Sequence, residues 1–156
     1  MDLERLREFL VEANRAGYAS DQTTISDDPD GSHTIVFESG GWRFDDNFFG
    51  GEPYGGREVI AVDGHVEWMM LYYGWVGRTE LTADAVYNFL RRALMRVAPE
   101  KPYRGPDSFL EGDLEYRNRV DGDLANFDGV ETILERGIEI YRARYFGGLV
   151  DQRPGE

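Results

Sequence analysis

The chain has 156 residues, of which 30 are acidic and 17 basic, so its formal net charge is −13. This charge argues against nucleic-acid binding, because a negative field repels phosphate backbones. It contains no cysteine, which excludes disulfides, thiolate metal sites and a cysteine nucleophile. No apolar run approaches the roughly 18–20 residues that span a bilayer, so we expect a soluble, cytoplasmic protein with no membrane partner.

The first part of the chain predicts one helix followed by strands. Asp2 is a suitable N-cap for an amphipathic helix over residues 2–16, whose apolar positions recur at helical spacing. Residues 20–32 are polar and rich in turn formers, which predicts an exposed loop. Residues 33–38 and 42–48 then have the alternating pattern and the flanking glycines that favour strands.

The second part begins with a strong hairpin signal. Residues 57–74 form two apolar runs joined by Asp63-Gly64, and this dipeptide is typical of a tight turn with positive φ angles. A second helix is predicted over residues 82–97, with its apolar side chains on one face. Residues 109–120 and 130–145 predict four more short strands, which brings the expected total to about eight.

An offset of 73 residues aligns the hairpin with the end of the chain. Matched positions include Glu58 with Glu131, Ile60 with Ile133, Gly64 with Gly137 and Tyr72 with Tyr145. We therefore predict a single α+β domain over residues 1–156, with internal repeats at approximately 2–76 and 82–150. The domain would be a duplicated helix-plus-four-antiparallel-strand unit, whose two copies are related by pseudo-twofold symmetry. Two such halves can join sheet to sheet, or they can place both helices on one face of a continuous antiparallel sheet. Either way, the interface between the halves is a natural place for a cleft.

Glu58 and Glu131 occupy matching positions of the two repeats, each close to a glycine-rich turn. Two carboxylates near a pseudo-twofold axis can share a proton or bind a cation. The alternative is that each pairs with an arginine or with backbone N–H groups in its own half. On strand alternation both side chains point toward the core, so we expect both to be partly buried and hydrogen-bonded, and to orient a cleft instead of performing chemistry.

Large aromatic side chains follow the predicted strands, and a wall of Trp and Tyr suits a flat or cationic ligand. The alternative for each aromatic is ordinary packing in the core and across strands. Arg104 can hold an anion or pair with an acidic neighbour. The ligand-binding candidates are Glu58, Glu131, Trp42, Trp68, Tyr72, Tyr116, Tyr141, Tyr145 and Arg104. We predict no catalytic residue and no cofactor. We also predict no metal site, since His33 and His65 are the only histidines and argue against a histidine-based zinc site.

Several segments together resemble a known family. They are REFLVEANRAGYAS, FFGGEPYGGREVI, DGHVEWMMLYYG, NFLRRALMRVAPEKPYRGP and the tail from EGDLEY to YFGGLV. In these segments the chain is similar to an uncharacterised bacterial and archaeal domain family that is often found behind an XRE-type helix-turn-helix in presumed transcriptional regulators. The resemblance implies no activity. It covers nearly the whole chain and leaves no room for the helix-turn-helix, so we expect a stand-alone domain without a DNA-binding role.

We predict a non-catalytic, small-molecule-binding module of the effector-sensing type, whose ligand lies in an aromatic and carboxylate-lined cleft between the halves. Two alternatives stay open: a hydrolase-like enzyme with a Glu general base, and a protein-interaction module that acts on a separate regulator. A strongly raised carboxyl pKa inside a pocket would favour the enzyme, and a large exposed apolar patch without a cavity would favour the interaction module. A homodimer is a further candidate assembly.

The balance of basic residues adds one more hypothesis. Lys101 is the only lysine among the 17 basic residues. Excess acid with almost no lysine fits adaptation to concentrated salt. The alternative is a GC-rich genome that favours arginine codons.

Overall fold

The computed structural model describes residues 1–17 and 24–152. These ranges contain two helices, α1 (Leu3–Gly17) and α2 (Ala83–Leu94), and nine strands. The strands are β1 (Thr24–Asp27), β2 (His33–Ser39), β3 (Trp42–Gly50), β4 (Tyr54–Val62), β5 (His65–Val76), β6 (Ser108–Glu111), β7 (Leu114–Asp123), β8 (Asn126–Glu135) and β9 (Ile138–Leu149). All nine form one antiparallel sheet in the order β1-β2-β3-β4-β5-β9-β8-β7-β6.

The predicted fold class is wrong. The chain is a β-rich fold built on one continuous sheet, not a duplicated helix-plus-four-strand α+β unit. The long central strands β5 and β9 pair along their length, from Trp68 opposite Leu149 to Val76 opposite Tyr141. No boundary therefore divides this sheet into two separate units with a cleft between them.

One strand was missed by the sequence prediction. Residues 24–27 form β1 at the edge of the sheet, inside the stretch 20–32 that was predicted to be a loop. All four side chains of β1 are exposed, so the strand carries no alternation of apolar and polar residues that could reveal it. The remainder of the predicted loop before Thr24 lies outside the described residues.

Both predicted helices are present with small shifts of their ends. The Asp2 side chain accepts from the backbone N–H of Glu4 at 3.0 Å, which confirms its role as the N-cap of α1. Thr82 caps α2 in the same way by accepting from the N–H of Ala85 at 3.2 Å. After Leu94 the chain tightens into short turns, so α2 ends three residues before the predicted position.

Both helices pack on the same face of the sheet, which we call the inner face. The buried stripe of α1 contacts one core cluster that includes Trp68 and Met70, and that of α2 contacts a second that includes Ile133 and Ile140. The other face of the sheet has no helix over it within the described part of the chain. Neither helix is long and apolar enough to cross a membrane.

Glycines on the inner face make room for tyrosine rings. A Cβ atom on Gly129 would lie 2.2 Å from Cζ of Tyr145, and one on Gly56 would lie 2.6 Å from the hydroxyl oxygen of Tyr72. Real Cβ atoms cannot approach so closely, hence these positions require glycine. Gly56 lies within β4, and its missing side chain leaves room for Tyr72 of the neighbouring strand β5.

Candidate functional site

Polar side chains converge on the inner face of the sheet, where a fold of this kind normally buries apolar groups. We call this set the polar cluster. It consists of Asp46, Tyr54, Glu58, Tyr72, Arg104, Tyr116, Asn118, Glu131, Tyr141 and Tyr145. Nine of these residues lie on strands β3, β4, β5, β7, β8 and β9, and Arg104 comes from the connection between α2 and β6.

Glu131 forms the fully bonded part of the cluster. Its side chain is completely buried, and Oε1 accepts from Nη2 of Arg104 at 2.6 Å and from the hydroxyl of Tyr141 at 2.9 Å. The hydroxyl of Tyr116 donates to Oε2 at 2.7 Å. Charge-assisted hydrogen bonds of this number satisfy both the buried carboxylate and the buried guanidinium. The prediction that Glu131 is buried and hydrogen-bonded is therefore confirmed.

The same network fixes the connection that carries Arg104. The backbone N–H of Gly105 donates to the Tyr116 hydroxyl at 3.0 Å, and Nδ2 of Asn118 donates to the Gly105 carbonyl at 3.1 Å. Tyr145 then donates to Oδ1 of Asn118 at 2.6 Å. Because both backbone groups of Gly105 are held by side chains of β7, the preceding arginine has a fixed position over the sheet.

Glu58 has a different environment from Glu131. Its residue is only 3% exposed, and within the described residues its Oε2 has no hydrogen-bond partner. The expectation that Glu58 is hydrogen-bonded like Glu131 is wrong for this oxygen. The physical reason is the sheet register, which places Asp46 of β3 directly opposite Glu58, so that a second carboxylate lies beside it where a donor would be needed.

Asp46 is the more accessible member of this carboxylate pair. It is half-buried, and it accepts a hydrogen bond from the hydroxyl of Tyr72. The Tyr72 ring also lies under the guanidinium of Arg104, whose Cζ is 5.4 Å from the ring centroid. Tyr72 therefore joins the arginine to the carboxylate pair.

The pKa values of both carboxyls are raised. Burial raises the pKa of Asp46 to about 6, opposed by the Tyr72 hydrogen bond and by Arg104. Burial also raises the pKa of Glu58 well above its ordinary value, and the negative charges of Asp46 and Glu131 add to this, against the opposing effect of Arg104. A group of three carboxyls with one guanidinium is thus short of positive charge, and this shortage favours the protonated form of Glu58.

The structure brings most of the predicted ligand-binding residues together. Those in the polar cluster are Glu58, Glu131, Tyr72, Tyr116, Tyr141, Tyr145 and Arg104. Trp68 is instead fully buried, stacks on Phe127 at 5.7 Å and donates to the carbonyl of Leu124 at 3.0 Å. Trp42 lies under α1 at the far end of the sheet, with its ring 5.4 Å from that of Phe9. Neither tryptophan reaches the cluster.

Sequence reasoning missed three members of the cluster. Tyr54 donates or accepts in a 2.5 Å contact with the Tyr141 hydroxyl and accepts from Arg104 at 3.3 Å. Asp46 could have been found from strand alternation, because it lies two residues after Phe44, which is buried on the inner face. Asn118 gave no signal, since an isolated amide in a strand is ordinary.

The polar cluster does not coincide with either of two clefts on the protein surface. One cleft of about 460 Å³ lies between α1 and Pro99, and another of about 440 Å³ lies beside the β2–β3 turn. Nor do three or more metal-ligating side chains come together in residues 1–17 and 24–152 as a metal ion would require. The half-buried side chain of Asp46 is the part of the carboxylate pair nearest to solvent.

Comparison with known proteins gives one match. No curated protein and no solved structure matches the chain. A family model described as a domain of unknown function, DUF5680, matches residues 46–150. This range begins at Asp46 and includes every member of the polar cluster, while α1, β1 and β2 precede it. The chain therefore belongs to the DUF5680 family of domains of unknown function.

Proposed function

We propose that this protein is a small-molecule-binding module whose ligand places a cationic group against Asp46 and Glu58. The observation that carries the proposal is the buried, unpartnered Oε2 of Glu58 beside a second carboxyl. An unsatisfied buried polar atom costs roughly 1–3 kcal/mol, so its retention calls for an explanation. A ligand that supplies the missing donor is one such explanation.

Charge is the second support for a cationic ligand. Arg104 is bonded to Glu131, which leaves the Asp46–Glu58 pair without a bonded cation of its own in the described structure. A protonated amine or guanidine provides N–H donors together with positive charge, and it would replace the proton that the raised pKa values indicate. Neutral or anionic ligands would not meet this need.

The aromatic surroundings suit the same class of ligand. Tyr72 is 7% exposed, and its ring lies 5.9 Å from that of Tyr54, whose residue is half-buried. Such rings attract a cation through their faces, as Arg104 over Tyr72 shows, and the Tyr72 hydroxyl that donates to Asp46 keeps its capacity as an acceptor. The site is closed around these side chains, so binding requires that the groups between Asp46 and solvent move apart.

A thermal-shift screen tests the proposal. The full chain is heated with a library in which each amine, guanidine and quaternary ammonium compound has a neutral analogue of the same shape. Binding raises the melting temperature by mass action. We expect hits only among the cations, lost in Glu58→Gln but kept in the control Glu12→Gln, which changes an exposed glutamate of α1. Hits that the neutral analogues share, or that Glu58→Gln retains, would contradict the proposal.

A second candidate function is acid–base catalysis by the same pair. The raised pKa of Glu58 favours it, because a carboxyl acts efficiently as a general acid or base at neutral pH only if its pKa lies above the ordinary value. Each cation found by the screen can be incubated with the protein and followed by mass spectrometry. Consumption of a compound by the wild type, abolished in folded Glu58→Gln, would establish the enzyme in place of the binding module.

A further inference from the structure

The outer face of the sheet, opposite the helices, exposes aromatic and apolar side chains at its centre. Leu71 of β5 lies opposite Phe146 of β9, and Tyr73 is the next outward residue of β5. Their exposed fractions are 36%, 56% and 54%. The ring of Tyr73 also lies 5.9 Å from that of half-buried Trp75, so the apolar surface is contiguous along β5.

Three arginines border this apolar centre. Sheet register places Arg57 beside Leu71, Arg144 beside Tyr73, and Arg119 two strands beyond on the same row. All three are exposed, and none has an ion-pair partner among the described residues. We call the set the arginine–aromatic face. It consists of Arg57, Leu71, Tyr73, Arg119, Arg144 and Phe146.

Other arginines of the outer face are neutralised locally. Arg43 pairs with Asp45 at 2.7 Å, Arg117 with Glu115 at 2.8 Å and Arg142 with Glu139 at 2.7 Å. Two exposed aspartates lie on the same face, Asp128 opposite Phe146 and Asp121 opposite Asp128, but neither forms an ion pair with the three arginines. The three arginines thus leave a surplus of positive charge around the exposed apolar surface.

We propose that the arginine–aromatic face binds an acidic segment of a partner protein, one that carries Asp or Glu on either side of a large apolar side chain. Arginine and aromatic residues dominate the energetics of protein interfaces, and apolar patches of this kind mark docking surfaces. Carboxylates of the partner would pair with Arg57 and Arg144 in the bidentate manner that arginine favours. The apolar side chain would contact Leu71, Tyr73 and Phe146.

Two other occupants fit less well. A nucleic acid would match the arginines and aromatics, but its phosphates would meet the field of a chain with a net charge of −13. A second copy related by a twofold axis would present only two aspartates of this face, Asp121 and Asp128, to the three arginines, so it would pair them only in part. An acidic segment meets neither difficulty.

Differential peptide display tests the proposal. A random peptide library is selected on the immobilised full chain and, in parallel, on Arg57→Ala/Arg144→Ala and on Phe146→Ser. We expect peptides rich in Asp and Glu around Trp, Phe or Leu to be enriched on the wild type. Their affinity, measured by fluorescence anisotropy, should fall about tenfold or more in either variant.

Matched control variants change exposed residues at the β8–β9 turn, which lies away from this face. They are Arg136→Ala, which removes an arginine that pairs with Asp113, and Ile138→Ser, which removes an apolar side chain that is 69% exposed. Both should bind as the wild type does. Unchanged melting temperatures would show that all four variants are folded.

Three outcomes would overturn the proposal. One is the absence of any peptide enriched on the wild type over the variants. Another is binding of a fluorescent oligothymidylate that depends on Arg57 and Arg144, which would assign the face to nucleic acid. The third is concentration-dependent self-association in sedimentation equilibrium that Phe146→Ser abolishes, which would assign it to a second copy.

Discussion

At the scale of single residues, Glu58 and Glu131 show that the residue type alone does not determine how a buried carboxyl is hydrogen-bonded. Both are glutamates of the inner face, on rows separated by the row of Tyr72 and Tyr145, and both are almost completely buried. Glu131 accepts hydrogen bonds from Arg104 and from two tyrosine hydroxyls. Glu58 instead lies beside the carboxyl of Asp46, and its Oε2 has no hydrogen-bond partner among the described residues. We interpret Glu131 as the structural anchor of the site and Glu58 as its binding group.

The same substitution at these two positions should therefore have opposite results. Glu131→Gln removes the charge that Arg104 pairs with, and breaking a buried ion pair from one side costs about 3–5 kcal/mol. Glu58→Gln removes a carboxyl that is already short of partners, so stability at neutral pH should change by about 1 kcal/mol or less, or increase. Urea unfolding of the two variants measures the difference. Equal losses in both would show that Glu58 is as structural as Glu131.

The raised pKa values also predict how stability depends on pH. A carboxyl whose pKa is higher in the folded state than in the unfolded state holds its proton more tightly when folded. Its stabilising contribution is complete below the unfolded pKa and is lost as the pH rises through the folded one. For Asp46 that window runs from the ordinary value of 3.8 to about 6, and Glu58 extends it upward.

We expect the double variant Asp46→Asn/Glu58→Gln to lose less stability than the wild type as the pH rises through this window. The difference should be about 1–3 kcal/mol, since one pKa unit corresponds to roughly 1.4 kcal/mol and Asp46 is partly screened by solvent. Urea unfolding at a series of pH values gives both curves. Parallel curves for the two proteins would mean that this pair does not titrate as described.

At the scale of elements, strand β5 separates three kinds of residue by its alternation. Trp68, Met70 and Tyr72 point to the inner face and are buried, while Leu71 and Tyr73 point outward and are exposed. A single strand thus contributes to the hydrophobic core, to the polar cluster and to the arginine–aromatic face. The Asp63-Gly64 turn, with φ angles of 49° and 85°, and the register shift between Ile60 and Ala61 together fix which residue falls on which face.

Trp68 tests the core part of this strand. Because its side chain is fully buried against Phe127 and donates to Leu124, Trp68→Ala should cost about 3–5 kcal/mol. Trp68→Phe keeps most of the contact and loses the hydrogen bond, so it should cost less. Chemical unfolding monitored by circular dichroism checks both values. A near-neutral Trp68→Ala would show that this side chain is not part of the core.

At the scale of the whole molecule, the sequence predicted the elements better than their assembly. The hairpin at Asp63-Gly64, the cap at Asp2 and both helices could be read from local patterns, because turns, caps and apolar stripes depend on nearby residues. The pairing of β5 with β9 could not, because these strands are distant in sequence and nothing local specifies their register. The predicted repeat left open whether two units join sheet to sheet or form one continuous antiparallel sheet, and the long-range pairing of β5 with β9 decides this.

For the site too, the sequence predicted the residues better than the contacts between them. Glu58, Glu131 and the strand tyrosines were identified from their positions, since alternation places them on the core face. The position of Asp46 opposite Glu58 depends on how β3 and β4 pair. The ion pair of Glu131 with Arg104 depends on where the connection between α2 and β6 lies relative to the sheet. These relationships decide which carboxyl is satisfied, and they exist only in the folded molecule.

The net charge gives a prediction for the molecule as a whole. If the acidic excess is an adaptation to salt, lowering the salt concentration from molar to about 0.1 M lengthens the Debye length from roughly 3 to 10 Å and exposes the repulsion among carboxylates. The melting temperature should then fall clearly. A melting temperature that is constant across this range would leave genome composition as the explanation for the scarcity of lysine.

The central claim is that Asp46 and Glu58 form a carboxyl pair whose missing positive charge a ligand supplies. Side-chain carboxyl ¹³C NMR across a pH titration measures it residue by residue, first without a ligand and then with an amine found by the thermal-shift screen. We predict that Asp46 titrates at about 6 and Glu58 well above its ordinary 4.5 in the free protein, and that the bound cation lowers both pKa values. Titration of both carboxyls at or below their ordinary values in the free protein would contradict the claim.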